Sequence, residues 1–181
     1  MPHTEHIDPL LLPAMVVMGV SGAGKSTIGE ALAHRLSLPF IDADSLHPQS
    51  NIAKMTSGQA LNDEDRWPWL AQVGKTMAEA ARHSGNVVCA CSALKRDYRR
   101  AIADQLRRPV IFILLSGDAD LIRQRQANRP GHFMPASLLD SQFALLEPFG
   151  TDELSMTVDN SVGPGEVIET ILARLYRLST V

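Results

Sequence analysis

The chain has 181 residues, 45% of them apolar and 20% charged, the balance of a globular domain with enough apolar mass for one core. Seventeen basic against 20 acidic residues leave a net charge of −3, which excludes a globally basic surface for nucleic acid; any anion site must come from local clustering. No run of 18 apolar residues occurs, so no membrane span is expected.

The opening "MPHTEHIDPLLLP" has no basic stretch and too short an apolar run for a signal peptide, and residues 1–13 are expected as a flexible tail of a cytoplasmic protein. "AMVVMGV" (14–20) reads as a buried strand, and "KSTIGEALAHRL" (25–36) as a helix with Ile28, Leu32 and Leu36 at helical spacing. "LPFIDAD" (38–44) is a second strand ending in two aspartates, followed by a polar, turn-rich stretch and a helix from about Trp69 to Arg82. "NVVCACSAL" (86–94) predicts a third strand whose alternation puts Cys89 and Cys91 on one face. A Cys-x-Cys pair can signal a metal, but no partner cysteines follow; two buried thiols fit the residues better and suit a reducing compartment.

"RDYRRAIADQLRR" (96–108) predicts a helix, "PVIFILLSG" (109–117) a fourth strand, and 119–127 a further helix. "NRPGHFMP" (128–135) interrupts with proline and glycine, "ASLLDSQFALLE" (136–147) resumes a helix, "LSMTVDN" (154–160) is a fifth strand, and "PGEVIETILARLYRL" (164–178) closes as an amphipathic helix. Strands alternating with helices predict a doubly wound α/β fold with a five-stranded parallel sheet, one domain over 14–181. In such folds ligands sit at the carboxyl ends of the strands, where the glycine-rich loop, both aspartates, Ser92, Lys95 and Asp159 all fall.

Gly19, Gly24, Lys25 and Ser26 satisfy G-x-x-x-x-G-K-[ST] between a strand and a helix. The glycines let the backbone turn its N–H groups inward at phosphate oxygens, and the helix adds its positive end. Candidate nucleotide-binding residues are therefore Gly19, Val20, Ser21, Gly22, Ala23, Gly24, Lys25, Ser26 and Thr27. Lys25 reaches the outer phosphates of ATP, and the Ser26 hydroxyl is a ligand for Mg²⁺. A carboxylate of the pair Asp42 and Asp44 holds the metal or accepts the proton of an attacking hydroxyl; the competing reading for Asp44 is a helix cap.

With these pieces in place the chain resembles the P-loop gluconokinases, the type that phosphorylates D-gluconate at its 6-hydroxyl. The matching stretches are "MGVSGAGKST", "DADSLHP", "NIAKMTSGQALNDEDRWPWL", "CSALKRDYR" and "GHFM" followed by "QFALLEP", spanning most of residues 15–160. The middle block discriminates, because shikimate, adenylate and adenylylsulfate kinases share the loop but not that run. The chain departs from the family pattern at Pro130, where a basic residue is usual, and in its tight "QFALLEP". The resemblance implies a nucleoside-monophosphate-kinase-like fold, ATP with Mg²⁺, a homodimer, and an adenine pocket opening at "VDN" (158–160).

The basic residues suit the same acceptor. His47, Lys54, Arg66, Lys95 and Arg99 lie in turn-rich or post-strand segments facing one sheet edge, and gluconate needs one firm cation and several polar contacts. Arg66 is best suited to a two-donor grip on the carboxylate, although Asp63, Glu64 and Asp65 beside it could tie it up in surface pairs. Trp67 and Trp69 are either a sugar platform or packing, the latter fitting better. The substrate-binding segment is expected at about 45–82 and a lid at about 125–136, where Arg125 and Arg129 meet ATP phosphates on closure. In this scheme Lys25, Asp44 and Arg129 are catalytic, Ser26 and Asp42 hold the metal, and His132 has no ligand role. Alternatives are a kinase for another small hydroxy acid, shikimate-like, or a nucleotide-gated switch that makes no small-molecule product.

Overall fold

Each apolar run expected as a strand pairs in parallel with its neighbours in one sheet. The strands are β1 (Ala14–Met18), β2 (Phe40–Asp42), β3 (Val88–Ala90), β4 (Val110–Ser116) and β5 (Ser155–Asp159), in the spatial order β2-β3-β1-β4-β5. The computed structural model describes residues 8–128 and 138–179. Helices α1 (Lys25–Leu36), α2 (Gln49–Thr56), α3 (Asp63–Ser84), α4 (Arg96–Ala103), α5 (Ala119–Ala127), α6 (Leu139–Leu145) and α7 (Pro164–Ser179) connect or follow the strands. This is the expected doubly wound α/β arrangement.

Every residue of β1 is buried, which is why the strand reads as an unbroken apolar run rather than an alternating one. Met15 and Val17 face one layer, packed with Ile28 and Leu32 of α1 and Ile171 and Leu175 of α7. Ala14, Val16 and Met18 face the other, with Leu70, Val73 and Met77 of α3 and Ile102 of α4. Cys89 and Cys91 belong to this second layer, both fully buried. The chain leaves β1 toward β2 and β3 on one side and later crosses to β4 and β5 on the other. The crevice at the carboxyl end of β1 is thus the switch point where such sheets bind ligands.

Boundaries differ from expectation where local chemistry outweighs periodicity. Helix α3 starts at Asp63, well before Trp69, because Asn62 and Asp65 form a reciprocal capping box: Asn62 Oδ1 accepts the Asp65 N–H at 2.8 Å and Asp65 Oδ2 accepts the Asn62 N–H at 2.9 Å. Pro68 lies inside this helix, where it has no N–H to give the carbonyl one turn earlier. A short helix, α2, occupies part of the stretch read as turns; its only buried side chains are Asn51 and Met55, too few to show as a stripe. Conversely, α4 ends at Ala103 rather than running to Arg108.

The expected tail over 1–13 is docked from Asp8 onward. Leu12 is buried, Asn86 Nδ2 donates to the carbonyls of Pro9, Leu12 and Pro13 at 2.7, 3.0 and 3.2 Å, and Arg108 donates to those of Leu10 and Leu12.

Candidate active site

The loop from β1 to α1 is shaped by its glycines. Gly22 and Gly24 take φ of 81° and 89°, the left-handed region that side chains disfavour, and Gly24 is the residue that opens α1. The loop thereby leads straight into the N-terminus of α1, the positive end of the helix. Lys25 Nζ donates back to the Val20 carbonyl at 3.0 Å. Thr27 lies on the exposed side of the first turn of α1.

The two aspartates do not share the end of a strand. β2 stops at Asp42, and Asp44 falls in a 3₁₀ turn over Ala43–Leu46 that Asp42 itself caps, its Oδ1 accepting the Asp44 N–H at 3.0 Å. The cap considered for Asp44 is therefore made by Asp42. The other oxygen of Asp42 accepts the Ser26 hydroxyl at 2.7 Å, so two hard oxygen donors stand together beside the phosphate loop. That donor set fits Mg²⁺, which takes one or two protein oxygens and completes its shell with phosphates and water. Among the described residues no group of three or more His, Cys, Asp or Glu could hold a metal by itself.

Asp44 turns into a narrow pocket walled by Ser21 and Lys25 on the loop side and by His47, Arg66 and Trp69 on the other. Its volume is about 30 Å³. Arg66 and Leu61 also line an adjoining open groove of about 500 Å³ that reaches Asp63, Lys95 and Ser141. Trp69 is buried, donates Nε1–H to the Ala43 carbonyl at 2.8 Å and stacks on the His47 ring at 4.0 Å, so it both packs and lines the pocket. Trp67 lies outside, edge-on to Tyr98.

His47 does not enter as a cation. Burial, reinforced by Arg66 and only partly opposed by Asp44, pushes its pKa down to about 4. Its Nδ1 lies 3.3 Å from Asn51 Nδ2. A neutral imidazole can exchange hydrogen bonds with hydroxyls but cannot neutralise a carboxylate.

The remaining basic residues separate by their partners. Lys54 pairs with Asp65 at 2.6 Å, and Lys95 with Asp63 at 3.0 Å. Asp63 also accepts the Tyr98 hydroxyl; that bond first, then Lys95, holds its carboxyl below the usual range. Asp65 is likewise held down, mainly by Lys54. Asp63 and Asp65, two of the three acids preceding Arg66, are thus spent on lysines. Arg66 Nη1 donates to the Leu61 carbonyl at 2.5 Å and to Tyr98 Oη at 3.2 Å, and among the described residues it makes no ion pair.

Arg99 is not brought to the pocket. It is fully buried, pairs with Glu153 at 2.5 Å, and donates to the carbonyls of Ala93, Leu94, Glu147 and Pro148. It fastens α4 to the segment leading into β5, because a buried guanidinium needs its donors satisfied and this segment supplies them. Arg125 faces the nucleotide loop rather than the acceptor pocket: its Nη1 donates to the Asn160 carbonyl at 3.0 Å, while the Asn160 side chain donates to the Ala23 carbonyl beside Gly24. Arg129, Pro130 and His132, with most of the expected lid, lie outside the described residues.

Two glutamines escaped the sequence reading. Gln142 of α6 lines the pocket and accepts the Ser21 N–H at 2.6 Å, and Gln126 of α5 accepts the Ser21 hydroxyl at 2.8 Å. The available signal was position: Gln142 follows Leu139 by three residues and Gln126 follows Ile122 by four, so each occupies the buried stripe of its helix.

Comparison with known proteins agrees with this geometry. The AAA-domain family model matches residues 15–149. The chain is 43% identical over 172 residues to a gluconokinase of Gluconobacter oxydans (strain 621H), covering 93% of this chain and 96% of the relative. It is 42% identical over 174 residues to the thermoresistant gluconokinase of Escherichia coli (strain K12), covering 93% of each. The crystal structure of a gluconokinase from Sinorhizobium meliloti 1021 superposes with a TM-score of 0.83 at 41% identity, covering 97% of this chain and 96% of that one. With identities of 41% to 43% over 93% to 97% of its length to these relatives and a phosphate loop on a parallel sheet, the chain belongs to the gluconokinase family of P-loop kinases.

Proposed function

We propose that this chain transfers the γ-phosphoryl group of ATP to the 6-hydroxyl of D-gluconate, giving 6-phospho-D-gluconate and ADP. The observation that carries the reading is Arg66: Asp65 and Asp63 beside it are bound to Lys54 and Lys95, and the guanidinium, which makes no ion pair among the described residues, lines both the pocket and the groove, available for an anionic acceptor. Lys25 and the first turn of α1 set positive charge where phosphoryl charge develops. Ser26 and Asp42 would hold Mg²⁺, which supplies charge neutralisation at the phosphate oxygens when it is bound with ATP. Asp44, which lines the pocket together with Lys25 and Arg66, orients the 6-hydroxyl and takes its proton. His47 gives a neutral polar contact to the polyol, and Arg125, with Arg129, meets the ATP phosphates. Lys54 and Lys95 serve the site by taking Asp65 and Asp63 as their ion-pair partners.

The likeness to the family supports a homodimer. The two buried thiols, pushed up by burial (Cys91 to about 12), support a reducing, cytoplasmic setting. No helix among the described residues is long and apolar enough to cross a membrane.

The test is ADP release with ATP and Mg²⁺ against gluconate, other aldonates, shikimate and glucose. Gluconate is used and glucose, similar in size but neutral, is not, because a neutral sugar leaves the site's cation unpaired. Arg66→Lys raises the gluconate KM at least about tenfold with ATP affinity intact, since an ammonium cannot reproduce the two-donor fork. Equal use of glucose sinks the sugar-acid assignment, and wild-type kinetics in Arg66→Ala remove the grip from Arg66.

A further inference from the structure

The Ser21 N–H of the phosphate loop is already engaged. Gln142 Oε1 accepts it at 2.6 Å, and the Ser21 hydroxyl donates to Gln126. Both glutamines are buried, at 7% and 6% exposure, so these are built contacts rather than surface ones. Ser21 stands at the acceptor end of the loop: it shares the narrow pocket with Lys25, Asp44 and Arg66, whereas the Gly24 end lies against Asn160. A phosphoryl group in transfer must face its acceptor, so the Ser21 end is where the γ-phosphate belongs. A loop N–H at that place is a ready phosphate ligand, yet a side-chain oxygen holds it. The pocket's volume of about 30 Å³ is room for a single water and not for a six-carbon acid, and Gln142 is part of its wall.

Resting on the kinase reading above, we propose that Gln142 is a positioning residue that yields the Ser21 N–H to the γ-phosphate and then turns its carboxamide to an acceptor hydroxyl. The exchange replaces one bond by another at Ser21. Ser21 N–H passes from an amide oxygen to a phosphate oxygen, and the amide finds a new partner in the acceptor, with its NH₂ donating to the hydroxyl oxygen. A neutral amide suits this task because it accepts from the loop without repelling the incoming phosphate. Loss of the Gln142–Ser21 contact also opens the pocket, so the contact links occupancy by the γ-phosphate to room for the acceptor.

The test compares wild type, Gln142→Glu and Gln142→Met. Affinities are measured by calorimetry for a non-hydrolysable ATP analogue and for ADP, each with Mg²⁺, alongside gluconate kinetics. The Glu variant can still accept the Ser21 N–H but sets a negative charge where the γ-phosphate arrives. Analogue affinity should fall at least about tenfold while ADP affinity changes by less than about threefold. The Met variant keeps the volume but can neither hold the N–H nor meet a hydroxyl. Analogue affinity should stay within about threefold while the gluconate KM rises at least about fivefold. Equal losses of analogue and ADP in the Glu variant, or no loss of either, would overturn the proposal; an unchanged gluconate KM in the Met variant would do so as well. If the Glu variant fails to fold, the Met variant decides. If wild type uses no aldonate, the gluconate reading falls, while the analogue-to-ADP ratio of the Glu variant still decides the contact with the γ-phosphate.

Discussion

Asp42 and Asp44 are two residues apart and divide the work of one side chain type. Asp42 is spent on Ser26 and on capping the turn that carries Asp44, while Asp44 lines the pocket. Asp44→Asn should therefore lower kcat at least about 100-fold, the range of general base catalysis, with ATP affinity kept within about threefold. Unchanged kcat with lowered thermal stability would make Asp44 structural. His47 gives the residue scale its pH signature. Its ordinary pKa of 6.5 drops to about 4 in the fold, chiefly through burial. Between these values the unfolded chain binds a proton that the folded chain refuses, so stability rises with pH across that window. The His47 contribution is complete above about pH 6.5 and is lost as pH falls toward about 4. Urea unfolding of wild type and His47→Gln should diverge in this window; parallel curves would show an imidazole in contact with water. The sequence already separated a metal role for Asp42 from a catalytic one for Asp44. Which of the two caps the turn, and the burial shift of His47, show only in the fold, because one is set by the folded backbone and the other by packing neighbours.

The elements were legible wherever their own residues pay for them, and less so where a partner does. Helix α1 follows its apolar spacing to the residue, while the start of α3 depends on a capping box that a search for apolar stripes passes over. Helix α4 depends on more than its own turns, since Arg99 ties it to Glu153 and to four carbonyls. Removing one member of a buried pair strands the other charge. Arg99→Met should cost about 3–5 kcal/mol of unfolding free energy, measured by denaturant titration. The folded fraction should keep its gluconate KM, because Arg99 lies outside the pocket. A stable variant with a raised KM would return Arg99 to the acceptor site.

At the scale of the whole molecule, the sheet sets what is reachable. Cys89 and Cys91 are buried between the sheet and its α3–α4 layer, and burial keeps both thiols protonated. Labelling with an aromatic disulfide should leave both unmodified in the native protein and modify both in denaturant. Prompt reaction of either thiol in native protein would show that this layer opens. The same topology gathers the functional groups: loops leaving β1, β2 and β3 at their carboxyl ends bring Lys25, Asp44 and Ser92 to one pocket, though they are far apart in the chain.

By itself the sequence determined the strand and helix alternation, the phosphate loop and the family, since each is written in short contiguous runs whose chemistry is local. Glycines at Gly22 and Gly24, a lysine at the start of α1 and apolar runs of strand length carry their meaning without neighbours. Only the tertiary structure decided which of the five basic residues are taken up by ion pairs or neutralised by burial. Asp63 and Asp65 choose Lys95 and Lys54, Glu153 takes Arg99, and burial neutralises His47, all through contacts between segments that the linear order keeps apart. The physical reason is that charge pairing and desolvation are properties of a place in the fold, while loop geometry and apolar periodicity are properties of the chain.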